Sequence, residues 1–277
     1  MLNKQRNYYT KWLDNKAQAA ELWLELTGEK RSKATARKYF DALKDLISSN
    51  NRKVTGVFGD THIPFDHPNY LQFVLDTFSS FGVTDVICTG DLVDNHAISR
   101  HLTSPDSMGA IGEYNETLER VALYTKEFEE VKLTIGNHDD IPARQAATLG
   151  IPRAYIKDMH EVWKLPDKWE VATNFIENNV LYKHGMGCGS KDGAYNATLA
   201  ERMSVVIGHA HSYAGCKYNA NSRDIVFGIN VGCGIDVDAY AFEYGKDMTH
   251  KPILGCGIVF DSNYAMFIPM PEKYFRS

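Results

Sequence analysis

The sequence has 277 residues, 44% hydrophobic and 23% charged, which fits a globular chain able to bury a sizeable core and excludes a disordered or fibrous one. No stretch approaches the roughly 20 consecutive apolar residues that span a bilayer. The polar opening residues lack the apolar centre of an export signal, so a cytoplasmic protein with no membrane partner is expected. The net charge of −5 is uneven: residues 1–53 carry twelve Lys/Arg against six Asp/Glu (+6), and the remainder carries 18 against 29 (−11). A basic arm on an acidic body points to a polyanionic partner.

Residues 8–50 read as helical. Trp12, Leu13, Ala17, Ala20 and Leu24 recur near a 3.6 period until Gly28. A polar turn, Glu29-Lys30-Arg31, follows, and Ser32 or Thr35 suits the cap of a second helix carrying Tyr39, Leu43, Leu46 and Ile47. Two readings of this 1–53 segment stand side by side. One is a helix-turn-helix-like unit that holds DNA or RNA through Lys30, Arg31, Lys33, Arg37 and Lys38. The other is a helical hairpin packed on the main domain or on another copy of the chain, in the second case joining a homo-oligomer through its aromatic residues.

After Asn50-Asn51 the texture changes to short apolar runs, each stopped by a polar cluster. Residues 54–58 stop at Gly59-Asp60, and residues 68–81 read as a helix. Residues 83–88 stop at Thr89-Gly90-Asp91, residues 113–129 read as a long helix, and residues 131–135 stop at Gly136-Asn137-His138. Farther on, 171–176, 180–183, 205–207, 225–231 and 258–260 read as strands, and the glycines at 185, 187, 189 and 193 read as a flexible loop. The loop has no Walker pattern, so it is not a nucleotide P-loop, although Lys191 in it could touch a phosphate. The five cysteines, Cys88, Cys188, Cys216, Cys233 and Cys256, are odd in number, widely spaced and free of any CxxC pair. They read as reduced thiols, mostly in strands, rather than as a disulfide or zinc framework.

Ligands in α/β folds gather beyond the carboxyl ends of strands. Asp60-Thr61-His62, Asp91 and Asn137-His138 should therefore converge, together with His184-Gly185 and Gly208-His209-Ala210-His211, which also follow apolar runs. Asp60 and His62 are two residues apart, as are His209 and His211; beyond a strand end such pairs can reach one metal region. Imidazole with carboxylate and amide oxygen suits Mn, Fe, Zn or Ni better than Ca. The absence of cysteine from the set argues against a closed structural zinc site.

The order Asp-x-His (60–62), Gly-Asp-x-x-Asp (90–94), Gly-Asn-His-Asp (136–139), His-Gly (184–185) and Gly-His-x-His (208–211) resembles that of calcineurin-like metallophosphoesterases. The resemblance implies an α/β fold, a two-sheet β-sandwich flanked by helices, over residues 54–277, with 1–53 as an N-terminal helical appendage. It implies two divalent transition-metal ions, with manganese the first choice. Asp60, His62 and His211 would hold one, Asn137, His184 and His209 the other, and Asp91 would bridge them. Through the same resemblance His138 would protonate the leaving oxygen or stabilise the transition state, Asp94 would orient His138, and a metal-bound hydroxide would be the nucleophile.

One departure matters. The protein-phosphatase branch continues its second motif as Asp-Arg-Gly, whereas this chain reads Asp94-Asn95-His96, so the arginine that holds a phosphate monoester is missing. Asn95 and His96 then become candidate substrate contacts; His101 is equally readable as a polar loop residue. His67, His160 and His250 fall outside the motifs and read as surface or structural, and Asp236 and Asp238 as a solvated turn. The expected function is hydrolysis of a phosphoester, a phosphodiesterase or nuclease acting on DNA or RNA. A phosphatase on small monoesters such as nucleotides is the alternative. A non-catalytic metal-binding scaffold is the third reading, against which an intact His138 speaks.

Overall fold

The computed structural model describes residues 53–100, 107–239 and 250–275. The expected helical appendage, apart from Lys53, and His101 lie outside the described residues. The described chain opens with Lys53 tied to the domain: its backbone N–H donates to Asp261 Oδ1 (3.2 Å), and its ammonium pairs with Asp85 (3.2 Å) and Glu177 (3.3 Å).

Two sheets form the centre. In the first, β1 (Val54–Phe58), β2 (Asp85–Cys88), β3 (Val131–Thr134) and β4 (Trp169–Ala172) are parallel. The sheet is extended beyond β1 by antiparallel β10 (Gly255–Phe260) and β11 (Tyr264–Pro269), giving the order β11-β10-β1-β2-β3-β4. The second sheet runs β5-β6-β7-β9-β8, from β5 (Asn174–Glu177), β6 (Val180–Lys183), β7 (Ser204–Ile207), β9 (Ile225–Asn230) and β8 (Gly215–Ala220). Its middle strands β6, β7 and β9 are parallel, and the edges are antiparallel.

Strand alternation sorts the side chains into layers, because successive residues face opposite sides of a sheet. Val57 and Ile87 face the second sheet and pack with Val180, Tyr182, Val206, Phe227 and Ile229. Their neighbours Phe58, Cys88 and Leu133 face the other way, into the core under α1 (Tyr70–Phe81) and α2 (Ala110–Glu127). Leu181, Val205 and Ile207 face outward from the second sheet onto α5 (Gly193–Glu201). The two-sheet sandwich flanked by helices is therefore the observed architecture. Both faces of the central strands are covered, which is why these strands read as continuous apolar runs.

Helix α1 buries Tyr70, Phe73, Val74, Thr77, Phe78 and Phe81, a stripe at three- and four-residue spacing. It ends at Gly82, in the left-handed conformation (φ 65°), where the Val83 N–H reaches back to the Phe78 carbonyl (3.0 Å). Each fully buried aromatic in this layer contributes about 1.5–3 kcal/mol of hydrophobic transfer. Two shorter helices follow, α3 (Ile141–Thr148) and α4 (Met159–Trp163), of which α4 packs against α2.

The structure departs from the sequence expectation in two places. The run expected as a single strand over 171–176 is divided, β4 closing the first sheet and β5 opening the second. β-propensity reports fit to a pleated surface and says nothing about which ladder a residue joins. The glycine-rich stretch is not loop throughout, since Gly193 begins α5. A Cβ on Gly193 would lie 1.6 Å from the Cys188 carbonyl oxygen, and one on Gly228 of β9 would lie 2.4 Å from that of Ala194. These glycines permit close backbone approach, so here they signal helix packing rather than flexibility. All five cysteines are free, with three of them in strands. No helix among the described residues is long and apolar enough to cross a membrane.

Candidate metal centre

Five loops meet at the carboxyl ends of β1, β2, β3, β6 and β7. They bring together Asp60, His62, Asp91, Asn137, His184, His209 and His211. Asp60, His62, Asp91 and His184 are buried almost completely, while His209, His211 and Asn137 form the half-exposed mouth. His211 Nε2 lies 3.0 Å from Asp60 Oδ1 and 3.3 Å from His62 Nε2. On the other side, His184 Nε2 lies 2.9 Å from Asn137 Oδ1 and 3.1 Å from His209 Nδ1. Asp91 Oδ2 sits between the groups, 3.6 Å from His62 Nε2 and 3.2 Å from His184 Nε2.

The backbone here is held in unusual conformations. Asp60, His62, Asp91, Asn95 and His209 all have positive φ, between 47° and 67°. For non-glycine residues such values cost energy that the surroundings must offset, and they concentrate at functional sites. The loops also lock one another. The Asp60 carboxylate accepts from the His209 N–H (2.8 and 2.9 Å), and Asp91 Oδ1 accepts from the His138 N–H (2.7 Å).

The donor set fits divalent cations. His184 Nδ1 faces the Thr89 carbonyl (2.9 Å) and His62 Nδ1 faces Asp94 Oδ1 (2.5 Å), so each Nδ1 carries the N–H. The Nε2 of either neutral ring is then a lone pair aimed at carboxylate oxygen, amide oxygen and another imidazole. Such a gathering of acceptors is satisfied by protons or by cations. Without cations the protons go there: burial opposes charge on His184, yet the Asp91 carboxylate outweighs it and pushes the pKa up to about 10. Burial opposes charge on Asp91 too, but His184 together with His62 and His138 outweighs it and holds the carboxyl well below the usual carboxylate range. Hydrogen bonding of the distal ring nitrogen to a carboxylate or carbonyl is the usual support for a metal-ligating histidine. The residues present fit divalent cations in their chemistry.

His138 lies at the mouth with its ring 4.4 Å from that of His62. Its Nδ1 is 3.0 Å from Asp94 Oδ1 and 2.8 Å from the Asp94 carbonyl. Burial disfavours its charged form, but Asp94 and Asp91 outweigh that and raise its pKa to about 9. Asp94 thus serves two rings, His62 and His138, where the sequence suggested only the second. Asn95 and His96, expected to meet substrate, are 8% and 6% exposed. The Asn95 amide donates to the His138 carbonyl (2.9 Å), and Glu113 receives the backbone N–H groups of His96 and Ala97 (2.6 Å each). Among the bystander histidines, His160 Nε2 faces the Trp169 carbonyl (2.6 Å) and His67 stacks edge-on to Phe275. Asp236 Oδ1 accepts from the Asp238 N–H (3.0 Å), the turn expected there.

Sequence reasoning gave no role to Asp139, Glu113, Arg144 or Arg100. Asp139 is buried and accepts from the N–H groups of Gly136 (2.8 Å) and Val93 (3.2 Å), tying two motif loops together. Burial and the nearby Asp91 charge raise its pKa to about 7. Its place in the 136–139 motif was the one available signal. Arg144 Nη2 donates to the Asn137 carbonyl (2.5 Å), and neither Arg144 nor Arg100 belongs to a motif.

The packing around Asp91 leads to a first prediction. A Cβ at Gly136 would lie 2.1 Å from Asp91 Oδ1 and 2.3 Å from the Asp91 backbone nitrogen. Gly136→Ala is expected to displace Asp91, reduce bound Mn²⁺ and lower the Tm by about 5 °C, from an overpacking cost of about 1–3 kcal/mol. Elemental analysis and thermal unfolding measure both; an unaltered Mn²⁺ content would contradict it.

A family model described as calcineurin-like phosphoesterase matches residues 54–266. No curated protein matches the chain. Solved structures similar to it include Vacuolar Protein Sorting 29 from Cryptosporidium parvum, at 13% identity and TM-score 0.40, covering 76% of this chain and 85% of that one. Another is Yfce, a phosphoesterase from E. coli, at 15% identity and TM-score 0.36, covering 74% of this chain and 87% of that one.

Proposed function

The chain belongs to the calcineurin-like phosphoesterase family, whose chemistry is metal-dependent phosphoester hydrolysis, and on that premise we propose that it is a binuclear phosphodiesterase acting on nucleic acid. The observation that carries the catalytic reading is the gathering of acceptors around Asp91 with His138 at its rim. Asp60, His62 and His211 would hold one divalent ion and Asn137, His184 and His209 a second, with the Asp91 carboxylate available to both. When bound, such a pair supplies Lewis-acid polarisation of the phosphoryl group and lowers the pKa of adjacent water; manganese suits the donors, as do iron, zinc and nickel. His138 donates a proton from Nε2 to the departing oxygen. Its Nδ1 is turned to Asp94, which fixes the ring and favours the protonated form. Buried Asp94, Asp139 and Thr89 hold the loops so that these groups need not reorganise during the reaction.

The diester preference rests on the missing Asp-Arg-Gly arginine and on the +6 charge of residues 1–53. It is tested with Mn²⁺ on bis-p-nitrophenyl phosphate, p-nitrophenyl phosphate, single- and double-stranded DNA, and RNA. Diesters are expected to be cleaved at least about tenfold faster, by kcat/KM, than the monoester, the ratio set by about 1.4 kcal/mol of transition-state discrimination. A monoester rate equal to or above the diester rate returns the reading to a phosphatase on small monoesters.

A further inference from the structure

Beside His138 a cleft of about 470 Å³ opens between the turn at 99–100 and α3, within the roughly 300–1,000 Å³ of small-ligand sites. Ile141, Arg144, Gln145 and Thr148 form one wall, at the three- and four-residue spacing that places them on a single helix face. Ser99 and Arg100 form the other, and Asn137 and His138 close the inner end. Among the described residues this lining has, beside a Gln145 amide and a Thr148 hydroxyl that donate to the carbonyls of Ile98 (3.0 Å) and Gln145 (2.7 Å), two guanidinium groups and no carboxylate. That is unusual on a body whose residues after 53 carry a charge of −11, and next to a centre built around Asp60, Asp91 and Asp94. One Arg144 nitrogen is engaged by the Asn137 carbonyl, and a guanidinium has five N–H donors. The remaining N–H groups suit a planar phosphate oxygen pair.

We propose that this cleft binds the phosphate next to the scissile one in a single-stranded nucleic acid, with Arg100 and Arg144 as its phosphate ligands. The assignment rests on the nucleic-acid diester reading above and gives the substrate-side role to residues outside the family motifs. A phosphate held here keeps the neighbouring diester beside His138 Nε2, and recognition of the backbone is indifferent to base identity. The buried Asn95 and His96 support this wall through the backbone: the Ile98 N–H donates to the Asn95 carbonyl (3.3 Å) and the Ser99 N–H to the His96 carbonyl (3.0 Å).

The test uses the full chain and a labelled single strand of about 12 nucleotides, a length within the span of known single-strand sites, with DNA and RNA in separate arms. Binding is followed by fluorescence anisotropy in EDTA, so that turnover does not intervene, across a series of salt concentrations. Arg100→Gln with Arg144→Gln is expected to raise Kd about tenfold or more. It should also flatten the slope of log affinity against log salt by about 0.7, the value for one phosphate of a single strand that is no longer neutralised. Arg100→Gln alone, which leaves the Asn137 support in place, is expected to give about half of the slope change. Equal effects in the two arms mark recognition of phosphate alone; a larger effect in one arm identifies the preferred strand. An unchanged Kd and slope in both arms overturns the proposal. Hydrolysis of bis-p-nitrophenyl phosphate by the unaltered chain keeps the two readings apart. Oligonucleotide binding that depends on these arginines, without diester hydrolysis, keeps the cleft and removes the diesterase. Hydrolysis with arginine-independent binding does the reverse.

Discussion

Asp91→Asn is expected to lower diester hydrolysis by at least about 10³-fold and to bring the Mn²⁺ content at saturation below two ions per chain. Asp91 Oδ2 is the oxygen placed between the two groups of donors, 3.6 Å from His62 Nε2 and 3.2 Å from His184 Nε2. An amide keeps the shape and can still accept the His138 N–H, but it brings no charge to balance two dications. The same substitution has a second signature in EDTA. There the buried His184 cation loses its nearest carboxylate, and breaking a buried pair from one side costs about 3–5 kcal/mol. Relief of Asp139, whose pKa is raised by Asp91, offsets part of that cost. The variant should therefore unfold at a lower temperature than the parent even without metal. Elemental analysis, steady-state rates and thermal unfolding in EDTA check the three parts. Two ions per chain with a rate above a tenth of the parent's would remove Asp91 from between the ions.

His138→Ala is expected to keep both ions and lower kcat by about 10²–10⁴ on substrates with poor leaving groups, the usual contribution of a positioned acid. Nitrophenolate leaves without help from a proton, so the loss should shrink on bis-p-nitrophenyl phosphate. The pH profile carries the same information with a definite sign. A general acid works while protonated, so its contribution is complete below its pKa and lost as pH rises through it. In the ion-free protein Asp94 and Asp91 raise that pKa to about 9; bound cations draw it down. Asp94→Asn removes part of the raising influence, so the alkaline limb of kcat should move to lower pH. It also frees His62 Nδ1 from its carboxylate, so some Mn²⁺ affinity should be lost with it. An equal loss across leaving groups in His138→Ala, with an alkaline limb unmoved in Asp94→Asn, would leave His138 no acid role.

The loops that carry the site were legible because each is a local event: a run of β-forming residues stops, and a polar cluster follows. Asp60 with His62, Asp91, Asn137 with His138, His184, and His209 with His211 all follow that rule, so their convergence needed only the knowledge that parallel strands present their carboxyl ends at one edge. The apolar runs gave an α/β rhythm, and the two-sheet sandwich flanked by helices followed from the family resemblance that the motif order carries. What depends on long-range packing was not. Glu113 fixes the His96 turn from 17 residues away along the chain, so the burial of Asn95 and His96 could not be inferred from their own neighbourhood. Arg144 reaches the Asn137 carbonyl only because α3 leaves the 136–139 loop at one particular angle. The division of 171–176 between two sheets depends on which ladder was free to receive each half. Residue order alone was enough to indicate which residues gather at the strand ends, because residue types and strand-end spacing are local properties. Folding in three dimensions was needed to separate the polar residues that are buried supports from those that face the cleft, because exposure is set by packing partners distant in the chain.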